Sequence, residues 1–200
     1  MRHSLVTRVL HALVAVAIFQ QLLTSWIMRM PRPASERTAT EIIAFSAHQY
    51  LGLGSLLILV VFWLWMLMRR GEIEIGILLP WFSRRRCAAL TADVAGHLRA
   101  LLSLRIPAQA DLGALASAIH GLGLLAAITM AVTGVAVYVG MSPDGQLTPL
   151  FATALEAHRI IANLMWAFLI GHAAMAIVHE LKGRRLLTRM FALGRASESG

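Results

Sequence analysis

Four apolar runs, at about residues 9–29, 42–68, 114–139 and 153–180, are each long enough for the ~20 residues that carry an α-helix across a bilayer. Hydrocarbon offers backbone amides no water to bond, so such runs must satisfy their hydrogen bonds internally. This confines the chain to one architecture, an all-α membrane protein built as a four-transmembrane-helix bundle. The second and fourth runs exceed the length of a minimal span and should tilt or project beyond the hydrocarbon. Composition agrees, since 58% of the 200 residues are hydrophobic and only 14% are charged, far from an ordinary soluble domain. The whole chain, 1–200, reads as a single membrane domain in which residues 69–113 form the cytoplasmic connector.

Basic residues set the orientation. Arg2 and Arg8 lie before the first run, Arg69, Arg70, Arg84, Arg85, Arg86, Arg99 and Arg105 between the second and third, and Lys182, Arg184, Arg185, Arg189 and Arg195 after the fourth. The other side carries Arg29, Arg32 and Arg37, and the loop "GMSPDGQLTPL" carries no basic residue. The positive-inside rule therefore puts both termini in the cytoplasm. The net charge of +8 follows from this bias and points to anionic lipid head groups, not to nucleic acid. The first run continues into "SWIM" without a small-residue cleavage site, which reads as a retained signal-anchor.

Within the connector, Thr91 to Leu104 places leucines, alanines and Val94 at helical spacing between Pro80 and Pro107. That pattern predicts a short helix at the cytoplasmic interface. It serves either as a connector on the membrane surface or as a docking face for a cytoplasmic partner. Cys87 is the single cysteine, which excludes an intramolecular disulfide, a Cys-ligated iron–sulfur cluster and covalent haem attachment through Cys-x-x-Cys-His. "GLG" occurs at Gly52–Gly54 and Gly121–Gly123 inside apolar runs, so neither is a nucleotide fingerprint. Both suit close helix packing or the approach of a flat cofactor to a helix backbone.

Ionisable side chains inside a span are costly and point to function. Among the eight histidines, His3 falls in the N-terminal tail and His97 in the connector, where solvent or lipid surface accounts for them. His158 and His172 are fourteen residues apart in one run, a rise of about 21 Å and a turn within roughly 40° of four whole revolutions. They leave one helix face at opposite depths. With both termini inside, His11 shares the cytoplasmic-side level with His172, and His48 shares the other level with His158. A lone intramembrane histidine is readily explained by helix packing. Two pairs, one per leaflet and each drawn from two helices, are what bis-histidine ligation of two haem irons requires.

The pattern of His11, of His48 in "AHQYLGLG", and of His158 and His172 in "EAHRIIANLMWAFLIGHAAMAIVHE" followed by "LLTRM" resembles the prokaryotic cytochrome b561 family. That family includes the b-type membrane subunits of nickel–iron hydrogenases and formate dehydrogenases. The resemblance covers nearly the whole chain. It implies a multi-pass protein of the bacterial inner membrane holding two haem b groups, with His11 and His172 on the cytoplasmic-side iron and His48 and His158 on the periplasmic-side iron. It also implies electron transfer between quinone and a redox protein partner in a respiratory chain, with quinone oxidoreductase activity left open. The connector is longer than in compact stand-alone members, and no long periplasmic extension is present for docking a catalytic subunit. The partner is thus the open point.

Arg159, beside His158, is placed to pair with haem propionates through its planar fork or to snorkel to the interface. His120, in the third run, is a contact for a propionate or a quinone, and as a ligand it competes with His11. His179, next to Glu180, suits a half-solvated boundary position. Two rival readings remain. A transition-metal transporter or zinc hydrolase needs ligands in threes, commonly with His-Glu-x-x-His spacing, which "HE" at His179 and Glu180 lacks. A purely structural anchor for another subunit, with the histidines used for packing, is the second; within the family resemblance the alternative is a haem-bearing membrane-anchor subunit of a hydrogenase or formate dehydrogenase-type complex.

Overall fold

The computed structural model describes residues 4–31, 36–69, 75–103, 113–183 and 186–191. Arg2, His3, Arg32, Arg70, Leu104, Arg105, Pro107, Arg184, Arg185 and Arg195, which enter the sequence reading, lie outside the described residues, as does the side chain of Arg189. The described residues form helices α1 (Leu5–Ile27), α2 (Ala39–Met68), α3 (Ile75–Leu78), α4 (Arg84–Leu102), α5 (Ala114–Gly140), α6 (Pro149–Leu181) and α7 (Leu186–Phe191), with a 3-10 turn at Pro80–Phe82. Helices α1, α2, α5 and α6 are long and apolar enough to cross a membrane. The protein is a multi-pass membrane protein.

Local chemistry sets the helix ends. Ser4 caps α1 by accepting from Thr7 N at 3.3 Å, so the helix starts before the apolar run does. Thr38 and Glu41 form a reciprocal capping box at the head of α2: Thr38 N donates to Glu41 Oε2 at 2.9 Å and Glu41 N to Thr38 Oγ1 at 3.3 Å. Pro149 opens α6, its fixed φ suited to a first helical turn. Between α5 and α6 the residues Met141 and Leu147 pair in a single antiparallel bridge. Asp144 accepts from Ser142 Oγ and Gln146 Nε2, both at 2.6 Å, and the Ser142 bond holds its carboxyl below the usual range.

By contacts the chain falls into two compact units. The larger joins residues 1–65 to 126–200 and holds α1, most of α2, the second half of α5, α6 and α7. Its helices interlock through a few polar and aromatic contacts. Trp65 Nε1 donates to the buried Thr7 hydroxyl at 3.0 Å, joining α2 to α1. Trp26 and Trp166 stack with centroids 4.6 Å apart, joining α1 to α6. Leu22 and Met165 are buried at 2% exposure, while Val16, Ile43, Leu57 and Ile160 remain exposed, as lipid-facing positions of a span should be.

The smaller unit, residues 66–125, holds the end of α2, α3, α4 and the start of α5. Helix α4 begins at Arg84, seven residues before the apolar periodicity at Thr91. The run Arg84–Arg86 has strong helix propensity but no apolar period to reveal it. Asp93 ties α4 to α5 by accepting from Leu115 N at 2.9 Å, and a Cβ on Gly121 would collide with the Leu78 carbonyl oxygen. The second "GLG" thus serves close packing.

Candidate functional site

Within the larger unit, four histidines from three helices meet in two pairs. The rings of His11 on α1 and His172 on α6 have centroids 6.2 Å apart, with planes at 48°. The rings of His48 on α2 and His158 on α6 are also 6.2 Å apart, with planes at 84°. Two imidazoles bound through nitrogen to opposite sides of one metal ion at about 2 Å have ring centroids on the order of 6 Å apart. Both pairs meet that spacing. Among the described residues no group of three or more His, Cys, Asp or Glu side chains converges, and each pair offers the two imidazole nitrogens of a two-residue donor set.

The pair at His48 and His158 is oriented by threonines. His48 Nδ1 lies 3.1 Å from Thr24 Oγ1 and 3.2 Å from the Gln21 carbonyl oxygen, and Gln21 Nε2 donates to the His48 carbonyl at 3.1 Å. His158 Nδ1 lies 3.0 Å from Thr133 Oγ1. Each threonine hydroxyl donates into its own helix, Thr24 to the Gln20 carbonyl at 2.9 Å and Thr133 to the Thr129 carbonyl at 2.8 Å. With its hydrogen committed there, each hydroxyl accepts from imidazole Nδ1–H. This assigns the tautomer that leaves the Nε2 lone pair for a metal. Gly134 sits against the His158 ring, where a Cβ would come to 3.2 Å from Cε1.

The pair at His11 and His172 is framed by aromatic rings. Phe168 stacks on His172 from one turn earlier on α6, with centroids 5.4 Å apart and planes at 16°. Phe191, at the end of α7, stands edge-on to His11 at 5.9 Å. Helix α7 is held in place by Glu180, which accepts from Leu187 N at 2.8 Å and Thr188 Oγ1 at 2.6 Å, and by Arg8, whose Nε donates to the Met190 carbonyl at 3.2 Å.

The remaining sequence-predicted residues have contacts of their own. Arg159 is half-exposed; its Nη1 donates to Glu156 Oε1 at 2.7 Å, and its Nη2 lies 4.0 Å from Met30 Sδ. His120 is exposed on the part of α5 that belongs to the smaller unit, with Nδ1 2.6 Å from the Ala116 carbonyl oxygen. Cys87 donates to the Pro80 carbonyl at 3.4 Å. Thr24, Thr133 and Gly134 have no role in the sequence-based expectations, and Arg8 enters them only through the orientation of the termini. Polar or small residues at those places in apolar runs carry a signal, but one that acquires meaning only once the facing helix is known.

A family model described as prokaryotic cytochrome b561 matches residues 2–192. Neither curated proteins nor solved structures yielded a match.

Proposed function

The chain belongs to the prokaryotic cytochrome b561 family, and on that premise we propose that it is a dihaem cytochrome of the bacterial inner membrane. Membership makes it a membrane b-type cytochrome of electron transfer. In the fuller reading it carries electrons between the quinone pool and a redox protein partner of a respiratory chain, both termini facing the cytoplasm. The observation that carries this reading is the presence of two histidine pairs at the same 6.2 Å spacing.

His11 and His172 would hold the cytoplasmic-side haem, and His48 and His158 the periplasmic-side haem. Bound haem supplies reversible one-electron chemistry, and the protein contributes ligation, orientation and electrostatics. Thr24 and Thr133 orient the imidazoles at one site, while Phe168 and Phe191 exclude water at the other. The strongly apolar outer faces of α1, α2, α5 and α6 meet lipid. Arg159 is assigned to a propionate of the periplasmic-side haem and His120 to a quinone headgroup or a propionate.

Visible spectra of the purified protein test the reading. About two low-spin b-type haems per chain are expected, one signal disappearing in His48→Ala or His158→Ala and the other in His11→Ala or His172→Ala. Spectra unchanged in all four variants would leave a structural anchor as the better account.

A further inference from the structure

Arg8 precedes His11 by three residues on α1, a rise of about 4.5 Å and a turn of about 300°, so the guanidinium leaves the helix within about a sixth of a turn of the imidazole. Its Nε is engaged by the Met190 carbonyl. Its Nη2 is buried and makes no hydrogen bond. Guanidinium does not deprotonate in proteins, so this buried nitrogen belongs to a full positive charge.

No described carboxylate answers it. Glu41 is engaged by Arg29 and Thr38, Asp93 by His97 and Leu115, Asp144 by Ser142 and Gln146, and Glu156 by Arg159, while Glu36 is exposed. Glu180, at the end of α6 from which α7 follows, is engaged by Leu187 and Thr188. A cation whose buried nitrogen lacks a counter-charge is unfavourable, and no described carboxylate supplies one, so an anion from beyond the described residues is called for at the level of the His11 and His172 pair. Haem b carries propionate carboxylates on its periphery, and the planar guanidinium matches a carboxylate in geometry and charge.

We propose that Arg8 binds a propionate of the haem held by His11 and His172, with α7 closed over that edge through the Arg8 to Met190 bond. This rests on the dihaem reading above. Arg8 acts as a positioning residue with an electrostatic effect. It neutralises a propionate that would otherwise favour the ferric state, an influence strengthened where water is excluded.

The test is a redox titration of purified, haem-loaded wild type, Arg8→Gln and Arg8→Lys, with haem counted per chain. The cytoplasmic-side haem is identified as the signal missing from His172→Ala. In Arg8→Gln that haem should titrate at a lower midpoint potential and wash out more readily, while the other haem keeps its wild-type potential and so reports an intact fold in the same sample. Arg8→Lys, which keeps the charge, should recover most of the shift. Unchanged potentials in Arg8→Gln, equal shifts of both haems, or loss of both together would overturn the proposal. So would thermal stabilisation of wild type but not Arg8→Gln by anionic phospholipid with no change in potential, which would assign the site to a lipid phosphate. A wild-type protein without two b-type haems fails earlier, on the dihaem reading itself.

Discussion

Thr24 stands to His48 as Thr133 stands to His158. Each threonine lies on a neighbouring helix, spends its hydroxyl hydrogen on a carbonyl one turn back, and holds its oxygen 3.1 Å or 3.0 Å from the imidazole Nδ1. The two histidines of this pair are thereby oriented by the same device, drawn from α1 on one side and α5 on the other. The device ties ring orientation to the packing of four helices, so the site is built by the bundle as a whole.

Replacing Thr133 with Val keeps the shape and removes the acceptor. Outer-shell partners of metal-bound histidines typically contribute on the order of 10–100-fold in affinity. Thr133→Val should therefore weaken retention of the haem at His48 and His158 by about that factor and leave the other haem in place. Thr24→Val should do less, because the Gln21 carbonyl oxygen also lies within reach of His48 Nδ1 at 3.2 Å. Haem titration into the apo variants measures both. Equal retention in wild type and Thr133→Val would show that the hydroxyl does not orient the ligand.

Gly134 gives a steric test of the same site. A Cβ there would lie 3.2 Å from His158 Cε1, so Gly134→Ala forces the ring or the helix to yield by a few tenths of an ångström. Overpacking of this kind costs about 1–3 kcal/mol, partly offset by the better helix propensity of alanine. Gly134→Val adds two methyl groups against the ring and should displace His158 as a ligand. The expected series is a modest loss of the outer haem in the alanine variant and a severe one in the valine variant. Full haem occupancy in Gly134→Val would place the His158 ring elsewhere.

How far such features can be read from sequence depends on whether they are local. Hydrocarbon leaves a chain little choice, so α2 and α5 end where their apolar runs do, within a few residues. The start of α1 at Leu5 depends on the Ser4 cap, and that of α6 on Pro149; both signals are present in the chain but lie outside the apolar pattern. The histidine pairs are legible because depth along a straight helix follows from the 1.5 Å rise. Thr24, Thr133 and Arg8 are not, since their meaning depends on azimuth between helices and on where α7 folds back. No single apolar run encodes either.

Arg159 and Glu156 offer a test with opposite signs. Their ion pair at 2.7 Å is exposed, at 51% and 64%, and exposed pairs are well screened. Arg159→Ala removes a positive charge near His158 and should lower the midpoint potential of that haem more than that of the other. Because Glu156 already offsets Arg159, the shift should be smaller than the one Arg8→Gln produces at its own haem. Glu156→Gln should move the same haem upward. Potentiometric titration of both variants decides the matter, and shifts in the same direction would exclude an electrostatic origin.

The two histidine pairs differ most in the angle between their rings, 84° at His48 and His158 against 48° at His11 and His172. Each axial imidazole donates π density in the direction normal to its own plane. When the two planes are nearly perpendicular, the two iron d orbitals of π symmetry are raised equally and stay close in energy. When the planes turn toward each other, one orbital is raised more and the degeneracy is lifted. A ferric low-spin iron with near-degenerate orbitals gives a highly anisotropic electron paramagnetic resonance signal with a large principal g value, whereas a lifted degeneracy gives a more rhombic signal. The oxidised protein should therefore show two low-spin signals. The more anisotropic should disappear in His48→Ala and in Thr133→Val, and the more rhombic in His172→Ala. The reverse assignment would mean that the ring angles are exchanged between the sites when haem is bound.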